Sequence, residues 1–263
     1  MPPQRIVCLT AETTEIAFAV GAGERVVGVS GYAVRPPEAR KRPKVAAFQT
    51  AHVPRILALE PELVLGFSDL QADIAAHLIR AGINVLVTNQ CTLAETRDAI
   101  ELIGAAVGEP ERGQLLAGAF WEGVRTLPAS PGGGERPRIY FEEWDDPLIS
   151  GIAWVSELID AAGGEDIFPE LRECKAAPQR VVSAEDVLAR RPHMIIASWC
   201  GKKARLEKIV ARPGWNGLPA VRESQLHEIK APDILQPGPS LLRGARQMSE
   251  LVSAWRDARQ RAR

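Results

Sequence analysis

The chain has 263 residues, 46% hydrophobic and 25% charged, with no stretch depleted enough in apolar residues to stay disordered. Lys and Arg total 32 against 33 Asp and Glu, so no overall field draws it to nucleic acid or to an anionic membrane, and no run approaches the ~20 apolar residues of a membrane span. The opening MPPQRIVCLT has neither the charged nor the apolar region of a leader, and Cys8, Cys91, Cys174 and Cys200 form no CxxC. As written, the chain is expected in the cytoplasm with reduced thiols, or in the periplasm if a leader has been removed.

Taken in chain order, apolar runs of strand length fall at residues 5–9, 26–30, 63–67, 84–88, 138–141 and 194–198. Most are unbroken rather than alternating, as parallel strands buried on both faces require. Helical patterns at 13–20, 53–59, 73–81 and 94–107 separate the first four strands, and others lie at 153–162, 184–189 and 240–255. Strand alternating with helix predicts parallel α/β units. Between the halves, residues 110–127 predict one long helix with proline in its first turn, spanning ~27 Å. Residues 128–137 read as a loop. Gly132, Gly133 and Gly134 neither follow a strand nor open a helix, and GAGERVVG at 21–28 follows a helix, so neither is a phosphate cradle. The predicted organisation is an α/β lobe over 1–108, a linking helix over 109–128 and a second α/β lobe over 129–263, with parallel-type sheets and a ligand cleft between two similar lobes.

Two internal echoes support that symmetry. RILALEPELVL at 55–65 matches DVLARRPHMII at 186–196 with a constant offset of 131, a short helix stopped by proline and dropping into a buried strand. TEIAFAVGAG at 14–23 pairs with SELIDAAGGE at 156–165, each a helix closed by a glycine suited to a left-handed cap.

With these strings the chain resembles the periplasmic-binding-protein family whose two lobes are fixed by a rigid backbone helix and which serves cobalamin, haem and ferric-siderophore uptake. RIVCLTAETTEIAFAVGAGERVVGVSGYAVRPPEA, ILALEPELVLGF, FEEWDDPLISGIAWVSELIDAAGGEDIF, ASWCG and LQPGPSLLRGARQMSEL look like successive segments of its cobalamin-binding branch. The resemblance implies a non-catalytic substrate-binding protein for cobalamin or a similar corrinoid, an ABC permease as partner, small lobe closure, and no cofactor of its own beyond the corrinoid ligand. Ferric-siderophore or haem binding, and an enzyme or sensor on the same scaffold, are the alternatives.

In such folds ligands bind beyond the carboxyl ends of the strands. The loops there carry the candidate ligand-binding residues Tyr32, Phe48, Gln49, Phe67, Ser68, Asp69, Asn89, Gln90, Glu142, Glu143, Trp144, Trp199, Cys200 and Gln236. Aromatic faces with an amide and carboxylate rim suit a broad, flat ligand with polar edges. The resemblance places Tyr32, Phe48 and Phe67 at aromatic contact positions of the first lobe, with Trp144 and Trp199 closing from the second. Phe48 and Phe67 stand where tryptophan is expected, a further aromatic position reads Val87, and DILQPGPS carries no aromatic. The family docks on its permease through an acidic residue on each lobe, for which Asp69 or Asp73 and Asp233 are the candidates. Trp121, Trp154 and Trp255 have the spacing of core residues, and Trp215 that of a loop anchor. Glu142 and Glu143 follow a strand, so one points inward and the other outward. The histidines have no metal-ligand spacing, and His52 is the one candidate to approach a metal centre. Cys91 and Cys200 fall in cleft loops, as buried thiols or soft-metal contacts. The cations near the cleft are Arg35 and Lys202 or Lys203. Arg256, Arg259, Arg261 and Arg263 read as a solvated helix end.

Overall fold

The computed structural model describes residues 1–127 and 135–261. Residues 128–134, with Gly132 to Gly134, and Arg263 lie outside them. The chain forms two compact units: unit 1 comprises Met1–Trp121 with Gln236–Pro239, and unit 2 comprises Glu122–Leu235 with Ser240–Arg263.

In unit 1 the order is β1 (Ile6–Cys8), α1 (Ala11–Ala19), β2 (Val26–Ser30), β3 (Lys44–Ala47), β4 (Thr50–Ala51), α2 (Val53–Leu57), β5 (Leu63–Phe67), α3 (Ala72–Arg80), β6 (Asn84–Thr88) and α4 (Leu93–Ala106). The sheet runs β4-β3-β2-β1-β5-β6, parallel throughout except for the β3–β4 hairpin. β1 and β5 are fully buried apolar strands between the helix layers, which is why they read as unbroken runs. Val7, Leu9, Val45, Ile56, Val64 and Leu78 form the core beneath them. Thr92 and Glu95 close a reciprocal capping box on α4, satisfying donors that the helix leaves free.

The chain passes into unit 2 along α5 (Pro110–Arg125). There follow β7 (Arg138–Asp145), β8 (Leu148–Ser150), α6 (Ala153–Ala161), β9 (Glu165–Asp166), α7 (Ala184–Arg190), β10 (Met194–Ala197), α8 (Leu206–Val210), α9 (Pro219–Arg222), β11 (Leu226–Glu228), α10 (Ala231–Ile234) and α11 (Leu241–Arg261). The second sheet runs β11-β10-β7-β8, with β9 also paired to β7. β10 lies parallel to β7 and β11, and β8 is antiparallel to β7.

Both echoes are structural. β5 and β10 begin at Leu63 and Met194, each after a short helix. α1 and α6 are both nine residues long, and Gly21 and Gly163 just beyond them have φ of 91° and 83°, a conformation that costs glycine little. The strands absent from the sequence reading are β3, β4, β8, β9 and β11, each of two to four residues. Conversely β7 runs on to Asp145, so Glu142 to Asp145 are strand residues rather than a loop. The arginine-rich end is not simply solvated. Arg256 is buried and donates to the Gly163 carbonyl at 2.6 Å, while Arg259 lies over the Trp255 ring and pairs with Glu223.

Candidate ligand site

Parallel strands bring their carboxyl ends to one edge of each sheet, and the chain order of unit 1 fixes where on that edge a ligand fits. β1, β2 and β3 build outward in one direction, and β5 then returns to the other flank of β1. The switch point therefore lies between β1 and β5, where α/β folds open their crevice.

Tyr32 follows β2, Phe48 occupies the turn of the β3–β4 hairpin, and Phe67 ends β5. Tyr32 is 50% exposed, Phe48 half-buried and Phe67 buried at 8%. The Phe48 and Phe67 rings lie 6.2 Å apart at 32°, within the range of favourable aromatic pairs. Gln71 holds the two loops together: its Oε1 accepts from the Phe67 amide at 3.1 Å, and its Nε2 donates to the Phe48 carbonyl at 2.8 Å. Its side chain lies against β5 at Gly66, where any Cβ would stand 2.7 Å from Oε1. Ser68 adopts φ 75° and its hydroxyl accepts from the Leu70 amide and donates to Asp69. Gln49, Asp69 and Asn89 are exposed on the same rim.

Gln90, beyond β6, is buried, and its Nε2 donates to the Pro237 carbonyl at 3.1 Å. It thereby fastens Gln236–Pro239, a four-residue segment of unit 1. Cys91 is a buried thiol outside any disulfide, and its amide donates to Glu95. The Nδ1 of His52 accepts from the Arg55 amide and caps α2, so that nitrogen is committed to the helix start. Among the described residues no group of three or more His, Cys, Asp or Glu side chains could hold a metal ion.

In unit 2 the carboxylates of β7 are committed to arginines. Glu142 is fully buried; it accepts from Arg212 through both oxygens and from the Trp199 indole at 3.0 Å. Glu143, on the other face, receives both terminal nitrogens of the buried Arg180, at 2.6 and 3.1 Å. A one-residue bulge separates them: Glu142 pairs with Ser150, yet Trp144 pairs with Ile149. Such bulges re-aim the next side chain, and Trp144 stands half-buried at the strand's end with its indole donating to the Asp146 carbonyl. Lys202 sits 3.8 Å above the Trp144 ring and pairs with Asp145, whose carboxyl is held below its ordinary range by Lys202 against the opposing effect of burial.

Trp199 corrects the sequence reading. It is 1% exposed and packs with Tyr140, Phe168, Ile195 and Trp215 in the core of unit 2, so its face is not open to a ligand. Trp215 joins the same core, and Trp154 and Trp255 are buried as expected, while Trp121 is half-buried with Arg97 over its ring. Cys200 is exposed, its thiol raised by burial of the sulfur and by Glu143. Arg35 pairs with Glu15 at 3.7 Å, and Lys203 is exposed. The residues that the sequence reading missed are Gln71, Arg180, Arg212 and Glu12. Glu12 lies in the first turn of α1, 3% exposed, with burial pushing its carboxyl up to about 7 against hydrogen bonding from Thr10 and its own amide.

Two α/β units built largely on parallel strands, the first with aromatic and amide residues at its strand ends, have the build of a small-molecule binding protein. The comparisons give the family: residues 6–232 match the model of the periplasmic binding proteins, and the chain belongs to that family. It is 29% identical over 252 residues to the vitamin B12-binding protein of Vibrio parahaemolyticus, covering 95% of this chain and 89% of that one. Among solved structures it resembles the periplasmic vitamin B12-binding protein BtuF of Vibrio cholerae, with a TM-score of 0.76 and 29% identity over 96% of this chain and 98% of that one. It also resembles the periplasmic heme-binding protein RhuT of Roseiflexus sp. RS-1, with a TM-score of 0.82 and 25% identity over 95% and 97% of the two chains. No helix among the described residues is long and apolar enough to cross a membrane.

Proposed function

We propose that this protein is a non-catalytic binding protein for cobalamin or a similar corrinoid, of the kind that delivers its ligand to an ABC permease from the periplasmic side. The observation that carries the reading is the rim of unit 1, where Tyr32, Phe48 and Phe67 converge on one sheet edge braced by Gln71, in a chain that aligns nearly end to end with vitamin B12-binding proteins. A flat macrocycle rimmed with amides suits aromatic faces beside the exposed polar groups of Gln49, Asp69 and Asn89, with the buried Ser68 donating to Asp69. In unit 2, Trp144 is half-buried and is the aromatic nearest solvent among the candidate residues, and Cys200 is exposed. Glu142 and Glu143 already accept charged donors, which favours a binding role over paired-carboxylate catalysis. Asp73 is exposed in the first turn of α3 and serves as the unit 1 permease contact. Asp233 accepts from Gln247 and is half-buried, and fits that role less well.

Haem is the second reading, favoured by the likeness to the heme-binding protein and by Tyr32, a phenol of the type that binds haem iron. Calorimetric titration with cyanocobalamin, hydroxocobalamin, haemin and a ferric siderophore separates the readings. Saturable one-to-one binding of the corrinoids, weakened in Tyr32→Ala, is the expected result. Binding of haemin alone, with a Soret shift lost in Tyr32→Phe, transfers the assignment to haem, and no binding of any of the four refutes both.

A further inference from the structure

Glu12 has no place in the ligand reading, yet it is the buried carboxyl nearest the switch point of the first sheet. It follows β1 directly, and its Oε1 is buried without a hydrogen-bond partner. Gly238 packs on the stem of the same residue: a Cβ on Gly238 would stand 3.0 Å from the Glu12 Cβ and 3.5 Å from its Cα. Gly238 belongs to Gln236–Pro239, which packs in unit 1 although the chain on both sides belongs to unit 2. This segment is lightly held. Two of its four residues are prolines without an amide hydrogen, Gly238 donates within the segment to Gln236, and Gln90 supplies the bond to Pro237. The Gln90 Oε1 is likewise buried without a partner.

The groups around Glu12 determine how it responds to charge. On its own helix Glu15 opposes ionisation, and the cation of that neighbourhood, Arg35, is paired with Glu15. β1 contributes the Cys8 thiol, held neutral by burial. β2 and β5 carry no charged side chain, and Gln236–Pro239 carries none. On α4, Glu95 is turned onto the amides of Cys91 and Thr92. Among these groups an ionised Glu12 meets no opposite charge of its own; Thr10 and its own amide give it hydrogen bonds, and the remaining cost of burial is relieved by admitting water. β1 is held in the sheet and α1 by its own helical hydrogen bonds, so of the parts that meet Glu12 the short segment is the one that can move.

We propose that Glu12 is a proton-controlled clasp: neutral, it seats Gln236–Pro239 on unit 1, and ionised, it releases that segment. Burial places the titration near neutral pH. Because Gln236 is among the proposed ligand contacts, release also weakens ligand binding, a consequence that rests on the corrinoid reading. The clasp itself does not.

The test is the protection of the Gly238 amide against hydrogen exchange, corrected for intrinsic rates, between pH 5.5 and 8.5 in the full chain without ligand. Protection in the parent should fall by about tenfold or more across that range, one pH unit of linked ionisation being a factor of ten. In Glu12→Gln it should stay flat and high. Gln90→Ala, which leaves Glu12 in place, should lower protection at every pH and serves if Glu12→Gln does not fold. Flat protection in the parent, a Glu12→Gln variant that titrates like the parent, or a Gln90→Ala variant with unchanged protection would each overturn the clasp. Cyanocobalamin affinity measured in parallel separates the two claims: titrating protection without corrinoid binding at any pH keeps the clasp and removes the ligand reading.

Discussion

Replacing Arg212 with alanine tests whether the Glu142 carboxylate belongs to the frame of unit 2 or to the ligand. Glu142 has no exposed surface and three donors, two from Arg212 and one from Trp199. Arg212→Ala removes both charged donors and leaves the Glu142 carboxyl in the core with one neutral N–H. Breaking a buried pair from one side costs about 3–5 kcal/mol, whereas replacing both partners by well-packed groups is close to neutral. At about 2–4 °C per kcal/mol for a chain of this size, Tm should fall by roughly 10 °C. The double variant Glu142→Gln with Arg212→Met should recover most of that loss, because the amide oxygen of Gln still accepts from Trp199. Calorimetric or circular-dichroism melting of the parent, the single and the double variants measures it. A single variant melting within about 2 °C of the parent would refute the argument and return Glu142 to the candidate ligand residues.

Gln71→Ala leaves the Phe67 amide without its partner in a buried place, which should cost about 1–3 kcal/mol by urea unfolding and weaken corrinoid binding through the loosened Phe48 and Phe67 loops. Tyr32→Ala should change stability by no more than about 0.5 kcal/mol, since half the residue faces solvent, while lowering affinity in calorimetry. Unaltered affinity would remove Tyr32 from the site. The Glu12 carboxyl also makes stability depend on pH. Its folded value near 7 lies above the ordinary 4.5, so its contribution is fully present below about 4.5 and is lost as pH rises through about 7. The loss is at most about 3 kcal/mol, and the difference in Tm between parent and Glu12→Gln should therefore widen from pH 5 to pH 8. Parallel Tm curves for the two proteins would show that Glu12 ionises freely.

What was legible in the sequence is what local pattern encodes. β2, β5 and β6 have the predicted bounds, because an unbroken run flanked by a helix stop admits one reading. The rim aromatics of unit 1 were legible for the same reason, each lying at or beyond the end of a strand. Trp199 shows the limit of that rule. It too follows a buried strand, but its indole finds an acceptor 57 residues away in Glu142 and turns inward. Arg180 and Arg212 meet their carboxylates across 37 and 70 residues, and no spacing announces such pairs. Gln71 had a local signal, standing four residues after Phe67 with Gly66 making room for its side chain, and the sequence reading passed over it. That Gln236–Pro239 packs in unit 1 is a long-range fact with no local trace.

At the end of β7 the carboxylates are committed to pairs within unit 2. Residues 142, 143 and 145 are all carboxylates, yet each meets a cation brought from another part of unit 2. The three pairs differ in what they permit. Arg180 is 2% and Arg212 16% exposed, against carboxylates at 18% and 0%, so exchanging either for a ligand would uncover a charge in the core. Lys202 is 40% exposed, and a pair so open to water contributes no more than about 1 kcal/mol. It lies over the ring of Trp144, which is half-buried just after the bulge. A ligand reaching Trp144 therefore displaces Lys202 at little cost, or keeps it if the arriving edge carries an anionic group. Lys202→Met separates these outcomes: affinity rises for a neutral edge and falls for an anionic one, while stability stays within about 1 kcal/mol of the parent.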